Sequence, residues 1–208
     1  MKMNNKKISV EILCEGLEEQ KYIKKLTSFP NIFSNIYSFQ EPINCKGITN
    51  IFPRYQDVFS RDIYELILIF CDADNNSKDF QNLCYKIDNH MFGSKKVSSK
   101  VVIFSNPVTL QIVLSHFGEV MLHSSAKAKN QSIIYQLTGI DNYQAHENQI
   151  DEMMRLIKIT SYDYMKSNVS RLSSDIRVLP STNFYFFLNH FEKNSVKWVD
   201  EINDLVLI

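Results

Sequence analysis

The sequence predicts an α/β protein: a Rossmann-like parallel sheet of about four strands flanked by helices, then a helical C-terminal extension. Three observations carry that expectation. Leu66-Ile67-Leu68-Ile69-Phe70-Cys71 is an apolar run without alternation, the pattern of a strand buried on both faces. Strand and helix signals alternate up to about residue 120, as they do when helices wrap a parallel sheet. Beyond Gly118 the strand signal fades and helical spacing takes over. The division expected is a core over 1–120 and an extension over 121–208.

Taken in order, residues 7–14 read as the first strand, broken by Glu15-Gly16. A helix follows over 17–28 with Tyr22, Ile23, Leu26 and Phe29 along one face, stopped by Pro30-Asn31. Residues 37–45 read as a second strand, set at an edge by Pro42, and 47–60 as a helix interrupted by Pro53. The central strand covers 64–71. Asn75, Asn76 and Ser77 then supply turn and cap chemistry ahead of a helix over 78–92 with Phe80, Leu83, Ile87 and Met91 at helical spacing. A third apolar strand spans 100–105, and Asn106-Pro107 turns the chain into a helix over 108–117 with Pro107 in its first turn. Further helices are expected over 124–137, 147–168 and 181–191. The stripe Ile150, Met153, Met154, Ile157 and Met165 reads as core. The aromatic-rich 184–191 stretch suits either the core or a homodimer contact, and the tail after 196 reads as helix or strand.

Composition sets the class. Of 208 residues, 44% are hydrophobic and 22% charged, which is ordinary for a globular domain. The 23 basic and 23 acidic residues cancel. That argues against coating nucleic acid by bulk charge and leaves room for a local basic cleft. No stretch reaches the roughly 18 apolar residues of a membrane span. The basic N-terminal residues precede an apolar run too short for a leader, so the expected location is cytoplasmic, without membrane contact. Cys14, Cys45, Cys71 and Cys84 show no CxxC spacing and read as reduced residues with packing roles.

The chemistry gathers at strand ends. Asp72 and Asp74 follow the central strand and, if the backbone stays extended, point to the same side. Glu15 ends the first strand. Acids after a strand often serve only as caps or turn formers. Three that meet at one sheet edge repel unless a cation lies among them, which makes Glu15, Asp72 and Asp74 candidate ligands of Mg²⁺ or Mn²⁺. Gly16 allows a sharp turn and close approach of a phosphate, and the helix that begins at Leu17 offers N–H groups to an anion. Such an ion activates water for phosphodiester cleavage. Lys95, Lys96 and Lys100, then Lys127 and Lys129, then Arg171 and Arg177, are candidate contacts for a nucleic-acid backbone, or ordinary surface charges.

Glu15-Gly16-Leu17-Glu18-Glu19 after one strand and Phe70-Cys71-Asp72-Ala73-Asp74 after another resemble the signature of the Toprim fold, shared by topoisomerases, primases and overcoming-lysogenization-defect nucleases. Ser105-Asn106-Pro107 followed by an apolar helix ending in His116-Phe117 resembles the RloB-like proteins, small bacterial Toprim-type proteins associated with restriction and phage-defence loci. Leu179-Pro180-Ser181-Thr182-Asn183 is similar to a late turn of that family. The resemblance covers about residues 7–120 and, more loosely, the rest. It implies a Toprim-like fold and a nuclease of antiviral defence or abortive infection, acting on DNA or RNA. In it Glu15 serves as general acid/base or ligand, with Asp72 and Asp74 as metal ligands. Glu19 matches the second acid of the motif or is a solvated helix residue. Asn106 orients water or phosphate, or simply forms a turn. His116 is a further candidate, or a core histidine. The sequence departs from the family at Val108-Thr109-Leu110-Gln111, where an aromatic–glutamate pair is usual and no acid stands here. That keeps a second reading open, a non-catalytic binding or effector module working with a partner protein. A haloacid-dehalogenase-like phosphatase fits less well, because Asp72-Ala73-Asp74 is not on the first strand.

Overall fold

The computed structural model describes residues 7–206; the basic stretch 1–6, weighed above as a leader, lies outside them. The chain forms an α/β fold around a mixed sheet. Strand β1 (Ile8–Cys14) leads through α1 (Leu17–Thr27) to two short strands, β2 (Tyr37–Phe39) and β3 (Ile43–Asn44), both parallel to β1. Helix α2 (Ile51–Ser60) returns the chain to β4 (Leu66–Asp72), which pairs with the other edge of β1 in the register Val10↔Leu66 to Cys14↔Phe70. Next come α3 (Lys78–Tyr85), running on into a π turn, a single-turn α4 (Ser98–Val101), and β5 (Val102–Asn106), parallel to β4. Helices α5 (Leu110–Leu114), α6 (Lys127–Thr138), α7 (Glu147–Leu156) and α8 (Tyr162–Ser170) follow. The chain then adds β6 (Ser181–Thr182), α9 (Phe184–Glu192) and α10 (Val196–Val206).

The sheet order is β2-β1-β4-β5-β6, with β3 beside β2 on β1. Because β1 feeds β2 on one side and has β4 on the other, the order reverses between β1 and β4. Open α/β sheets bind ligands in the crevice at the carboxyl end of such a switch point. Strand β4 is apolar on both faces because both faces are covered, whereas one face of β1 also carries Ser9 and the buried Glu11. Phe70 stacks on Phe184 of α9 with ring centroids 5.5 Å apart, beside Tyr22 of α1. Ile67, on the opposite face, lines a cavity together with Tyr55 of α2 and Ile202 of α10.

Several expectations are corrected. The sheet is not wholly parallel: β6 pairs antiparallel with β5, so part of 181–191 is strand. Asn183 extends that edge cover with its side chain, accepting from Phe104 N–H (2.9 Å) and donating to Val102 C=O (2.8 Å). The strand over 37–45 is split around Pro42, which has no N–H for a ladder. Pro53 does not interrupt α2; it lies in the first turn, where the missing N–H costs no helix bond. The helix over 147–168 breaks at Ile157, which is extended and fully buried. The helix over 108–117 contracts to α5. In α9, Phe184, Phe187, Leu188 and Phe191 are core, while Tyr185 and Phe186 face outward. Among the described residues no helix is long and apolar enough to cross a membrane.

Candidate active site

The carboxyl ends of β1 and β4 open into a cleft of about 290 Å³ lined by Glu15, Glu18, Glu19, Asp72, Lys46 and Lys127, among others. Three elements deliver the acids. Glu15 follows β1, Glu18 and Glu19 lie in the first turn of α1, and Asp72 closes β4. Parallel register brings them together, since Cys14 is paired with Phe70, leaving Glu15 beside the last residues of β4. Glu15 Oε2 accepts from Asp72 N–H at 3.1 Å. Asp72 Oδ1 accepts from the Thr109 amide (2.6 Å) and hydroxyl (2.8 Å). Glu15 Oε1 and Asp72 Oδ2 have no hydrogen-bond partner among the described residues.

The electrostatics follow from burial and crowding. Burial, then the charges of Asp74 and Asp79, push the Glu15 carboxyl up to about 7, with the Asp72 amide and Lys127 opposing. Burial, Glu18 and Glu15 push Glu19 up to about 7. Asp72 is raised well above the usual carboxylate range by burial and by Glu19, Glu15 and Glu18 in turn. Glu18 is raised by burial against the pull of Tyr143, whose hydroxyl donates to Glu18 Oε1 at 2.5 Å, and of Lys127. Like charges this close each disfavour ionisation of the others.

One local expectation fails. Strand β4 ends at Asp72, and Asp74, Asn75 and Asn76 all have positive φ (46°, 61° and 58°). The two-residue repeat that was to align Asp72 with Asp74 stops there, and Asp74 stands on an exposed turn beside Ser125 and Lys127. At the start of α1, Glu19 Oε2 accepts from Gly16 N–H at 2.9 Å, so that one amide is already used. Gly16 itself is extended (φ −136°, ψ −169°). Its role is close approach, since a Cβ there would meet Glu19 Oε2 at 3.0 Å.

Other candidates lie apart from the cleft. The Asn106 carboxamide accepts from Asn75 N–H and donates to the Ile176 and Val178 carbonyls, so it is a strut between loops and has no amide group left for water or phosphate. His116 is buried, with Nε2 3.1 Å from the Tyr22 hydroxyl and Nδ1 2.8 Å from the Ser161 hydroxyl. Burial holds it down to about 3, a neutral core histidine. Lys95, Lys96 and Lys100 precede β5, whereas Lys127 opens α6 beside the acids, with Lys129 exposed on the same turn. The two groups therefore sit at opposite ends of β5 and do not form one cleft. Sequence reasoning missed Glu18, Thr109, Tyr143 and Lys46. Of these only Glu18 carried a local signal, as the third acid of Glu15-Gly16-Leu17-Glu18-Glu19.

No protein-family model, no curated protein and no solved structure matches this chain. The site is thus read from its own geometry. Its donor set, carboxylate oxygens alone, is that of a hard divalent cation. Among the described residues no three His, Cys, Asp or Glu side chains stand as a preassembled metal cluster.

Proposed function

We propose that this chain is a Mg²⁺- or Mn²⁺-dependent nuclease of the Toprim type, hydrolysing phosphodiester bonds of DNA or RNA in the cytoplasm as part of an RloB-like antiviral or abortive-infection response. The observation that carries the reading is the crowding of Glu15, Glu18, Glu19 and Asp72 at the β1–β4 switch point, where burial and mutual repulsion favour their protonated forms and a bound cation would take the place of those protons. Glu15 Oε1 and Asp72 Oδ2 would hold the ion, with Asp74 reaching it from the adjoining turn. When bound, the ion supplies Lewis-acid polarisation of a phosphoryl oxygen and a more acidic water.

The chain's own residues do the rest. Thr109 fixes the Asp72 carboxylate through two hydrogen bonds, and the Asp72 amide fixes Glu15. Glu15, with a proton affinity near neutrality, is suited to take a proton from attacking water. Lys127, half-buried at the start of α6, offsets phosphate charge on the open side.

Gln111 favours the second reading. Where the resembled family has an acid, the Gln111 carboxamide is fully buried and bonded to Val120 C=O and Leu122 N–H. A non-catalytic module acting through a partner protein would tolerate that. Incubation with single- and double-stranded DNA, RNA and tRNA in Mg²⁺ or Mn²⁺ separates the two, run beside Glu15→Gln/Asp72→Asn. Cleavage by the parent alone supports the nuclease. Metal binding by the parent without cleavage of any substrate supports the module.

A further inference from the structure

The acid cleft does not end at the acids. Asn44 and Lys46 line it, and they also line a second groove of about 430 Å³ that continues past Asn50 and Pro53 to Arg54 and Asp57. We propose that this second groove carries the phosphodiester backbone of the substrate strand on its way into the cleft. The proposal deepens the nuclease reading and rests on it.

Position comes from the sheet. Cys45 N–H donates to Cys14 C=O and Gly47 N–H to Glu15 C=O, each at 2.8 Å. Lys46 is thus pinned between two residues bonded to the end of β1, one strand spacing (about 4.8 Å) from the Glu15 backbone. Its own backbone is held in both directions: its N–H donates to Asn44 Oδ1 (2.8 Å) and its C=O accepts from Asn50 Nδ2 (3.1 Å). That clasp keeps Lys46 at φ 59°, a left-handed conformation seldom adopted by a lysine. Among the described residues the Asn44 amide N–H₂ has no hydrogen-bond partner, so a donor stands where groove and cleft meet.

Charge in the groove suits a polyanion. Asp57 accepts from Arg54 (3.1 Å), so these two lining residues balance, and from outside the groove Arg61 (2.8 Å) offsets Asp57 further. With Lys46 the balance is net positive, and the first turn of α2, which carries Pro53, turns the positive end of its dipole to the same place. The chain as a whole carries no net charge to attract nucleic acid, so approach to an acidic cleft depends on such a local track. Neither Lys46 nor Arg54 belongs to the basic groups the sequence singled out. They become neighbours only when β3 docks on β1.

The test uses the full chain, 5′-fluorescein single-stranded DNA and RNA 20-mers, and anisotropy titrations in Ca²⁺ from 50 to 200 mM salt, with cleavage followed separately in Mg²⁺ or Mn²⁺. Lys46→Ala and Arg54→Ala should each weaken binding roughly 3–10-fold and lower the slope of log affinity on log salt by about one. Lys46→Arg should restore the slope, and Lys197→Ala on α10 should leave it unchanged. Both positions are exposed, and equal melting temperatures confirm that the variants fold. A parent that binds and cleaves, with slopes unmoved by Lys46→Ala and Arg54→Ala, overturns the groove and leaves the nuclease standing. A parent that neither binds nor cleaves overturns both.

Discussion

Two sets of buried and half-buried polar side chains lie on neighbouring strands of one sheet, and they are built on opposite terms. Along and beyond β5 the groups are neutral carboxamides. Gln111 and Asn183 each match one donor and one acceptor to a backbone carbonyl and amide, and Asn106 ties three loops in the same way. Beyond β1 and β4 the groups are carboxylates, which when ionised only accept. Four of them in one cleft cannot satisfy each other, and few donors reach them. The first set is closed and needs nothing from outside. The second is left with charge that a proton or a cation must balance, and on that difference the proposed function rests.

The comparison breaks most readily on activity. Glu15→Gln with Asp72→Asn removes the two free carboxylate oxygens without changing shape, so metal-dependent cleavage should fall by about 10³-fold or more, the several kcal/mol a bound ion supplies. Its metal-free melting temperature should hold or rise, because repulsion is removed. A gel-based cleavage assay and a thermal melt read both. A variant that keeps activity would show the acids to be as structural as the amides.

Gln111→Ala should do the reverse. It strands the Val120 carbonyl and the Leu122 amide in the core, at about 3 kcal/mol in total, or roughly 6–12 °C in Tm for a chain of this size. Activity per folded molecule, measured well below the melt, should be nearly unchanged.

A pH series sharpens the contrast. Glu15 and Glu19 titrate near 7 in the fold and near 4.3 when unfolded. The native state therefore holds more protons between those values, and stability falls as pH rises through that window. Metal-free protein should be more stable at pH 5 than at pH 8 by about 2 kcal/mol. Solvent in the open cleft screens the repulsion among the acids and keeps the effect to that size. Saturating Mg²⁺ should flatten the profile, as should Glu15→Gln/Glu19→Gln. Chemical denaturation at several pH values measures it, and a profile that rises with pH would mean the acids are already paired.

The two regions also differed in how much the sequence disclosed. The apolar runs of β4 and β5 were readable because burial on both faces leaves a continuous pattern that needs no partner to be recognised, and β1, which carries Ser9 and Glu11, was marked by the Glu15-Gly16 break that follows it. The break at Ala73 was not. Asn75, Asn76 and Ser77 were read as turn and cap residues, but nothing local says that the turn starts before Asp74 instead of after it. Thr109 passed as an ordinary helix residue, since its duty depends on Asp72, 37 positions earlier. Strand β6, two residues long, shows no period at all, and Asn183 completes it with a side chain, which no strand pattern records. The break at Ile157 was hidden because its burial continues the apolar stripe that had argued for one long helix.

The smallest effect falls where the two regimes touch. Tyr143, fully buried in the loop between α6 and α7, is held by Gln131 through its backbone amide and carbonyl, a closed arrangement like that of Gln111. Its hydroxyl, however, reaches across 125 positions to Glu18, a member of the crowded acids. A hydrogen bond to an ionised carboxylate is stronger than one to a neutral acid, so Tyr143→Phe should depend on pH. Loss of the hydroxyl raises the proton affinity of Glu18 further in the fold. That widens the gap to its unfolded value and deepens the penalty at high pH. The expected loss is about 1–2 kcal/mol at pH 8 and about half that at pH 5. Equal losses at the two pH values would place Glu18 with the satisfied amides, and the charge imbalance of the cleft would then rest on Glu15, Glu19 and Asp72 alone.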